Sequence, residues 1–238
     1  MSITARYNRN ILIENFGEEG QAKLKSAKVL VIGSGGLGSP VLLYLAAAGI
    51  GTLGIVDFDV VDESNLQRQV LHFTGDIGTD KVLSASNKLH ALNPEVKIIT
   101  YNEKFTPDNA VTLISTYDFI VDCCDNFATK FLIDDTCVQQ RKPYSHASVV
   151  AMRGEVMTYT PGTTCYRDIF NGCPANESEV ISSKVGILGA MAGVVGSIQA
   201  TEVIKYFTGI GDVLTNRLLI IDGRTMLFQT LKVKPLAP

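Results

Sequence analysis

Hydrophobic residues along the chain alternate between short aliphatic runs and longer segments with helical spacing. The short runs cover positions 29–32, 52–56, 96–100 and 117–121. The helical segments that follow them cover about 36–49, 78–92, 106–114 and 126–140. Strands that alternate with helices are typical of a mostly parallel sheet with helices packed on it. The pattern therefore predicts an α/β fold.

The second part of the chain has a different order of elements. Two predicted strands, 143–150 and 155–160, follow each other without a helix between them. An irregular segment, 161–183, then leads to a long predicted helix at 185–207 and to a closing hairpin of 217–222 and 226–233. A short helix is also predicted near the start of the chain, at 18–26. We expect antiparallel strands to extend the parallel sheet, with a long crossover loop at 161–183.

A glycine-rich turn separates the first strand from the first helix of the alternating region. Gly33, Gly35 and Gly38 have the spacing G-x-G-x-x-G. The first glycine permits a tight turn, the second lets a phosphate approach the backbone, and the third lets helix and strand pack closely. The next predicted strand, 52–56, leads directly to Asp57, 19 residues past Gly38, where such folds place the acid that binds a ribose hydroxyl. The turn therefore predicts a Rossmann-like nucleotide site, with a glycine-rich packing turn as the alternative.

Charged residues near this turn indicate which nucleotide binds. Arg9, Arg68 and Lys81 are candidate phosphate ligands, and Asp125 follows the fourth predicted strand. A dinucleotide oxidoreductase needs the glycine turn and the ribose acid, but not these cations. A nucleoside triphosphate needs both the cations and Mg²⁺, which takes one or two carboxylates plus phosphate oxygens. The set favours ATP with Mg²⁺ bound through Asp125, although Lys81 as a surface lysine and Asp125-Asn126 as a helix cap are ordinary alternatives.

Composition narrows the classes of partner and compartment. The 238 residues carry a net charge of −3 and are 46% hydrophobic, and no basic run is present. We therefore expect neither a nucleic acid nor a membrane partner. The five cysteines have no regular spacing and no secretory signal is visible, so a cytoplasmic location is expected. Cys123 and Cys124 are expected to be small buried residues.

The catalytic motifs that are missing also limit the chemistry. The sequence has no G-x-x-x-x-G-K-[ST] loop, no nucleophile elbow and no H-E-x-x-H, and its three histidines are scattered. One reaction needs no general base, because its nucleophile is already ionised at neutral pH. In that reaction a carboxylate attacks the α-phosphorus of ATP and pyrophosphate leaves. Alignment and charge neutralisation then supply the catalysis.

A set of motifs spread in order over nearly the whole chain resembles one protein family. The motifs are Arg6-Tyr7-Asn8-Arg9, the turn Gly33-Ser34-Gly35-Gly36-Leu37-Gly38, Asp57-Phe58-Asp59, Ser64-Asn65-Leu66-Gln67-Arg68-Gln69, Lys81, Asp122-x-x-Asp125-Asn126 and Gly196-Ser197-x-Gln199-Ala200-x-Glu202. Together they resemble the ThiF/MoeB/HesA family, the prokaryotic relatives of the ubiquitin-activating enzymes. The resemblance implies a homodimer that uses ATP and Mg²⁺ to adenylate the C-terminal Gly-Gly carboxylate of a ubiquitin-like sulfur-carrier protein. The carrier would be of the ThiS type, for thiamine, or of the MoaD type, for molybdopterin.

The resemblance also implies a division of the chain and a role for each motif. We expect one adenylation domain over 1–238, with an N-terminal arm and helix (1–27), a nucleotide-binding half (28–142) and a carrier-binding and dimer half (143–238). The implied catalytic residues are Arg9, Arg68, Lys81 and Asp125, with Arg9 reaching the ATP of the partner subunit. The implied nucleotide-binding residues are Gly33, Gly35, Gly36, Gly38, Asp57, Asp59, Ser64, Asn65, Leu66, Gln67, Arg68, Lys81, Asp125 and Asn126.

The sequence departs from the family pattern at its cysteines. Many members hold zinc with two C-x-x-C pairs, but here Cys165 is followed by Asp168 and no second pair precedes Pro238. We expect no zinc, and a segment 161–183 that is mobile unless the carrier orders it. Some relatives bond covalently to the carrier through a loop cysteine, which would align near Ser182. Cys173 lies nearby, and both a nucleophilic role and an ordinary loop cysteine remain open.

Other functions compete with adenylation of a carrier. One is adenylation of another small carboxylate or of a tRNA base, against which the low positive charge argues. Another is a non-catalytic relative that keeps only nucleotide binding, and a third is a dinucleotide oxidoreductase. The combination of Arg9, Arg68, Lys81 and Asp125 favours the enzyme, because no structural role requires these four residues together.

Overall fold

A single eight-stranded sheet runs through the part of the protein that the structure, a computed structural model, describes: residues 3–171 and 185–235. The strands are β1 (Lys28–Ile32), β2 (Thr52–Val56), β3 (Lys97–Tyr101), β4 (Phe119–Asp122), β5 (Tyr144–Val150), β6 (Arg153–Tyr159), β7 (Arg217–Asp222) and β8 (Leu227–Lys232). Their spatial order is β3-β2-β1-β4-β5-β6-β7-β8. The first five positions are parallel and the last three join antiparallel, which confirms the predicted fold class.

Helices cover both faces of the sheet. They are α1 (Ile3–Ile11), α2 (Gly17–Ser26), α3 (Gly38–Ala48), α4 (Lys81–Leu92), α5 (Pro107–Ser115), α6 (Phe127–Gln140), α7 (Tyr166–Phe170) and α8 (Gly189–Thr208). Among the described residues, no helix is both long and apolar enough to cross a membrane.

Alternating side chains of the central strands supply two separate cores. Val29 and Val31 of β1 pack with the face that carries α3, α4 and α8. Leu30 and Ile32 pack with the opposite face, which carries α5, α6 and α7. Because β1 is buried on both faces, its run of apolar residues has no polar alternation.

The strand order places a ligand crevice at the carboxyl end of β1. The chain proceeds from β1 to β2 and β3 on one side, and returns to β4 on the other side. Open α/β sheets bind ligands at this switch point, outside the carboxyl ends of the strands. Ile32, Val56 and Asp122 end their strands at this edge.

Three local expectations differ from the structure. The helix predicted from position 185 begins at Gly189, because Ile187 forms a parallel bridge with Ala151. Helix α1 occupies part of the expected N-terminal arm. The segment 161–183, expected to be irregular throughout, contains α7. The positions discussed as a nucleophile, Cys173 and Ser182, lie outside the described residues.

Candidate nucleotide site

The glycine turn follows β1 and has the backbone geometry that its sequence predicts. Gly33 has φ +96°, which L-residues rarely adopt, and a Cβ there would lie 2.7 Å from the carbonyl oxygen of Cys123. A Cβ at Gly38 would lie 2.0 Å from the carbonyl oxygen of Gly33, so helix and strand could not pack so closely. Helix α3 starts directly after the turn, and no side chain caps it at Leu37. Within α3, Pro40 has no N–H and the Ser39 N–H already donates to the carbonyl oxygen of Gly35, so an anion here would meet the amides of the glycine turn itself.

Asp57 lies at the end of β2 beside this turn and is held on both carboxylate oxygens. Oδ2 accepts hydrogen bonds from the backbone nitrogen of Ser34 at 2.7 Å and from its hydroxyl at 2.8 Å. Oδ1 accepts the N–H of Asp59 at 3.0 Å. The side chain is 8% exposed, and each oxygen can accept more than one hydrogen bond. The carboxylate is therefore rigid and able to accept a further donor such as a sugar hydroxyl.

A buried histidine is hydrogen-bonded to the backbone of the glycine turn. His72 Nε2 lies 3.0 Å from the carbonyl oxygen of Ser34, and Nδ1 lies 2.8 Å from the hydroxyl of Ser84. Because a carbonyl oxygen only accepts, Nε2 carries the hydrogen and Nδ1 accepts from Ser84. Burial lowers the pKa of His72. Lys88 donates to the same Ser84 hydroxyl at 2.8 Å, so the network extends into α4.

The polar loop after β2 brings one arginine next to the glycine turn. Asp62 caps a short 3₁₀ turn by accepting the N–H of Ser64 at 2.8 Å, and Arg68 Nη1 donates to the carbonyl oxygen of Ser64 at 3.0 Å. Arg68 Cγ lies 3.6 Å from the position of a Cβ on Gly36. Asn65 and Leu66 are half-buried in this loop, whereas Gln67 is exposed.

Lys81 is the first residue of α4 and is buried, with 5% of its surface exposed. Its Nζ forms an ion pair with Asp59 Oδ2 at 2.8 Å, and its N–H donates to the carbonyl oxygen of Asp59 at 2.9 Å. The structure therefore joins two predicted site residues that the sequence separates by 22 positions. A cation at this end of a helix is unfavourable for the helix dipole, and Asp59 offsets part of that cost.

The loop after β4 presents one buried and one exposed carboxylate. Burial alone would raise the pKa of Asp122, but Lys130 and His146 beside it lower the pKa to about 2. The carboxylate of Asp125 is exposed and forms no ion pair within the described residues. Asn126 caps α6 by accepting the N–H of Thr129 at 2.9 Å, as its position predicts.

The donors present fit a nucleotide-bound magnesium ion better than a metal cage. The described part of the chain contains no group of three or more His, Cys, Asp or Glu residues that could enclose a metal. Mg²⁺ is usually held by one or two carboxylates together with substrate phosphates and water. Asp125, an exposed acid at the end of the sheet that carries the glycine turn, satisfies that requirement.

Arg9 is the one predicted catalytic residue that this chain does not bring to the site. Tyr7, on the same helix α1, contacts Asn93 at the end of α4, and its ring would clash with a Cβ on Gly49 after α3. Helices α3 and α4 have 11 and 12 residues, so about 16 to 18 Å of helix separate α1 from the glycine turn and from Lys81. Arg9 is exposed at this far end.

Two neighbouring acids of α6 hold the first part of the crossover segment. The buried carboxylate of Asp134 accepts the N–H of Arg167 at 2.9 Å, the N–H of Tyr166 at 3.2 Å and the hydroxyl of Tyr144 at 2.6 Å. Asp135 binds the Arg167 guanidinium through two hydrogen bonds of 2.8 and 2.6 Å. The start of α7 is therefore fixed by carboxylates. The segment is therefore helical at α7 rather than irregular, whereas its mobility in the absence of the carrier stays a prediction; residues 172–184 lie outside the described part.

None of the described cysteines has the environment of an activated nucleophile. Burial, with a contribution from Asp134, raises the pKa of Cys165 to about 12. Burial likewise raises the pKa values of Cys123, Cys124 and Cys137. Thiols with raised pKa values are poor nucleophiles at neutral pH, because the thiolate is the reactive form.

The residues that hold the site together were not among those predicted from the sequence. Ser34 occupies a variable position of the glycine motif, and His72, Lys130 and His146 belong to none of the motifs named above. Each of them acts through a partner on another element, such as Ser34 with Asp57. The sequence gives no local signal for such pairs.

The fold is a Rossmann-like sheet with a glycine turn after β1 and an acid at the end of β4. A model of the ThiF family matches residues 7–238. The chain belongs to the ThiF family, which confirms the resemblance seen in the motifs.

Two relatives, MoeZ and MOCS3, share much of this sequence. The chain is 44% identical over 235 residues to the probable adenylyltransferase/sulfurtransferase MoeZ of Mycobacterium tuberculosis, an alignment that covers 97% of this chain and 60% of MoeZ. It is 43% identical over 235 residues to the adenylyltransferase and sulfurtransferase MOCS3 of Anopheles gambiae, covering 98% of this chain and 53% of MOCS3. The chain thus spans between half and two thirds of the length of these relatives.

Solved structures show the same architecture. The crystal structure of E. coli MccB with ATP superposes with a TM-score of 0.86 at 26% identity, covering 98% of this chain and 73% of MccB. The crystal structure of PaaA superposes with a TM-score of 0.83 at 25% identity, covering 99% of this chain and 76% of PaaA.

Proposed function

We propose that this protein adenylates the C-terminal Gly-Gly carboxylate of a ubiquitin-like sulfur-carrier protein of the ThiS or MoaD type, with ATP and Mg²⁺. The observation that carries the proposal is the grouping of the glycine turn, Asp57, Arg68 and the Lys81–Asp59 pair at one edge of the sheet. Membership of the ThiF family and the names adenylyltransferase given to MoeZ and MOCS3 support it.

Each group at the site has a role in binding the nucleotide. The backbone amides of the glycine turn face the phosphates, and Asp57 accepts a ribose hydroxyl. Arg68 and Lys81 offset the negative charge of the triphosphate, with Ser64, Asn65, Leu66 and Gln67 lining the loop between them. A magnesium ion bound with the nucleotide would be held by Asp125 and would neutralise further phosphate charge.

The reaction then needs alignment and no proton transfer from the protein. A carboxylate oxygen of the carrier forms a bond to the α-phosphorus of ATP. The bond between the α-phosphorus and the oxygen that bridges it to the β-phosphate breaks, and pyrophosphate leaves with that oxygen. His72 is buried with both ring nitrogens hydrogen-bonded, His146 is buried with its Nδ1 bound to Asp122, and His90 is exposed on α4. This distribution suits a nucleophile that is ionised before it binds.

We also propose that the protein acts as a homodimer, with carrier binding and dimer contacts in 143–238 and with Arg9 acting on the ATP of the partner. The lengths of α3 and α4, which separate α1 from the glycine turn and from Lys81, support this. Arg9 lies at the far end of these helices, away from the site of its own chain. A two-fold dimer would then complete two equivalent sites.

The test is ATP–pyrophosphate exchange measured with purified ThiS-type and MoaD-type carriers. We expect exchange that depends on one of them and is lost when its terminal glycine is removed. Asp125→Ala should abolish exchange. Asp118→Ala should retain it, because Asp118 precedes β4 and lies at the amino end of the strands, opposite the glycine turn. Exchange with a small carboxylate alone would favour a different substrate. ATP binding without any exchange would favour a non-catalytic relative, and nicotinamide cofactor binding an oxidoreductase.

A further inference from the structure

His146 of β5 lies next to the acid that begins the loop after β4. The side chain is 1% exposed, and its Nδ1 lies 2.7 Å from Asp122 Oδ2. Because the Asp122 carboxylate also accepts from Lys130 on this oxygen and from the Cys124 N–H on the other, it acts as the acceptor, and Nδ1 carries the hydrogen. Lys130 Nζ donates to the same oxygen at 3.0 Å and to the carbonyl oxygen of Ala147 at 2.8 Å.

The other oxygen of Asp122 holds the backbone that leads to Asp125. Oδ1 accepts the N–H of Cys124 at 3.0 Å, and Asp125 is the next residue. The orientation of the Asp122 carboxylate therefore determines where the Cys124 amide, and with it the Asp125 backbone, can lie. His146 and Lys130 fix that orientation from the opposite side.

A histidine that served only for packing at this position would lower the stability of the fold. Its Nε2 is buried and has no hydrogen-bond partner in the described part of the chain, with Glu155 Oε1 at 3.6 Å. An unsatisfied buried polar atom costs about 1 to 3 kcal/mol. Lys130 already balances the charge of Asp122, so an apolar residue would fill the space without that cost. What the histidine adds is a second directed donor to Asp122.

The same ring also contacts the start of the crossover segment. Its centroid lies 4.4 Å from that of Tyr166 and 6.2 Å from that of Phe170, both in α7. His146 thus joins α7, which Asp134 anchors, to the acid that shapes the Asp125 loop.

We propose that His146 is a positioning residue for the magnesium–nucleotide complex: its Nδ1–H sets the Asp122 carboxylate, which holds the backbone that presents Asp125. The inference rests on the proposed function for its assignment of Asp125 to the metal. His146 itself touches neither nucleotide nor metal.

The experiment compares His146→Asn with His146→Gln. Asn places its amide nitrogen where Nδ1 lies and keeps the donor to Asp122, whereas Gln places its nitrogen near the Nε2 position. ATP binding is measured by titration calorimetry over a series of Mg²⁺ concentrations, and without Mg²⁺. We expect His146→Gln to need about ten-fold more Mg²⁺ for half-maximal tight binding of ATP. His146→Asn should stay within about two-fold of the wild type, and Mg²⁺-free ATP binding should be equal in all three.

Several outcomes would overturn the proposal. Equal Mg²⁺ dependence of the Asn and Gln variants would show that the donor is unimportant, and an equal loss of Mg²⁺-free binding would show a general defect. A His146→Gln protein that is unfolded at 25 °C while His146→Asn is folded would assign the residue to stability. His90→Asn, an exposed histidine, is the control and should behave as wild type.

The result is separable from that of the exchange assay. Wild-type protein that binds ATP in a Mg²⁺-dependent manner but catalyses no exchange would contradict the proposed function and leave the His146 comparison decisive. Wild-type protein that shows no Mg²⁺-dependent ATP binding would contradict both proposals.

Discussion

Ser34 donates two hydrogen bonds to one carboxylate oxygen of Asp57, from its backbone nitrogen at 2.7 Å and from its hydroxyl at 2.8 Å. Ser34 lies inside the glycine turn, and Asp57 directly follows the neighbouring strand β2. The pair fixes the group proposed to bind ribose relative to the group proposed to bind phosphate. A nucleotide that spans both would meet a preformed site, so little ordering cost opposes binding.

Asp57→Ala should weaken ATP binding without unfolding the protein. The substitution removes the ribose acceptor and releases the turn at Ser34. Loss of a hydrogen bond to a charged group costs about 1.5 to 3 kcal/mol, so we expect the Kd for ATP to rise about ten-fold to a hundred-fold. Titration calorimetry measures the Kd, with Asp118→Ala as the matched control at the other edge of the sheet. An unchanged Kd for Asp57→Ala would remove Asp57 from the nucleotide site.

His72 should make stability depend on pH in one direction. Its folded-state pKa is lowered by burial, whereas the unfolded value is about 6.5. The unfolded chain therefore binds the proton first as pH falls, and the stability that neutral His72 contributes is complete above about pH 6.5. That contribution is lost as pH falls below 6.5 towards the folded pKa.

Replacing His72 with Gln should therefore flatten this part of the pH profile. Urea unfolding between pH 7.5 and 5.5 should show the wild type losing up to about 1.4 kcal/mol per pH unit more than His72→Gln. His90→Gln removes an exposed histidine from the same α4 region and should keep the wild-type slope. Parallel profiles for the wild type and His72→Gln would mean that His72 does not titrate on unfolding.

The nucleotide half of the fold was predictable because its signals are local. The spacing Gly33, Gly35 and Gly38 follows from backbone requirements within one turn, and Asp57 follows its strand directly. The burial of Lys81 was not predictable, because it depends on Asp59 across a 22-residue separation. A sequence pattern that predicts where a helix starts does not predict how buried a side chain at that start is, or which residue it pairs with.

The crossover segment shows the same limit more strongly. Its sequence has no helical period long enough to predict α7, which has five residues. A helix this short is unstable alone and forms here because Asp134, 33 positions before Arg167, accepts its first N–H groups. The missing cysteine pair predicts the loss of an anchor, whereas acids on α6 supply a different one.

Asp134 and Asp135 should differ sharply in their contribution to stability. Asp134→Ala leaves the buried hydroxyl of Tyr144 and the N–H of Arg167 without their acceptor, so we expect a loss of about 2 to 4 kcal/mol in the free energy of unfolding. Asp135→Ala removes an exposed ion pair with Arg167 and should cost less than about 1 kcal/mol.

Urea denaturation measures both losses, and amide hydrogen exchange locates them. We expect faster exchange at 166–170 in Asp134→Ala than in Asp135→Ala. Equal losses in the two variants, or unchanged exchange over α7 in Asp134→Ala, would contradict the view that the buried acid anchors this helix.

Arg9 should act in the site of the partner subunit. Helix α1 lies at the far ends of α3 and α4, whereas Lys81 begins α4. Arg9→Ala and Lys81→Ala should each abolish carrier-dependent exchange when assayed alone. After the two proteins are mixed and their subunits exchange at random, half of the dimers are mixed and each mixed dimer has one intact site. Activity should return to about a quarter of the wild-type value.

The control for this recovery is a mixture of Lys81→Ala with Arg68→Ala, two residues assigned to the same subunit's site. In the mixed dimer of that pair one site lacks Lys81 and the other lacks Arg68, so activity should stay absent even though subunits exchange. Native mass spectrometry of proteins that differ in isotope label verifies the exchange. If the Arg9 and Lys81 variants recover nothing although mixed dimers are present, Arg9 has no role in the partner's site. Recovery in both mixtures would instead mean that the Arg68 and the Lys81 of one site come from different subunits. Only residues that different subunits contribute can complement each other in a mixed dimer.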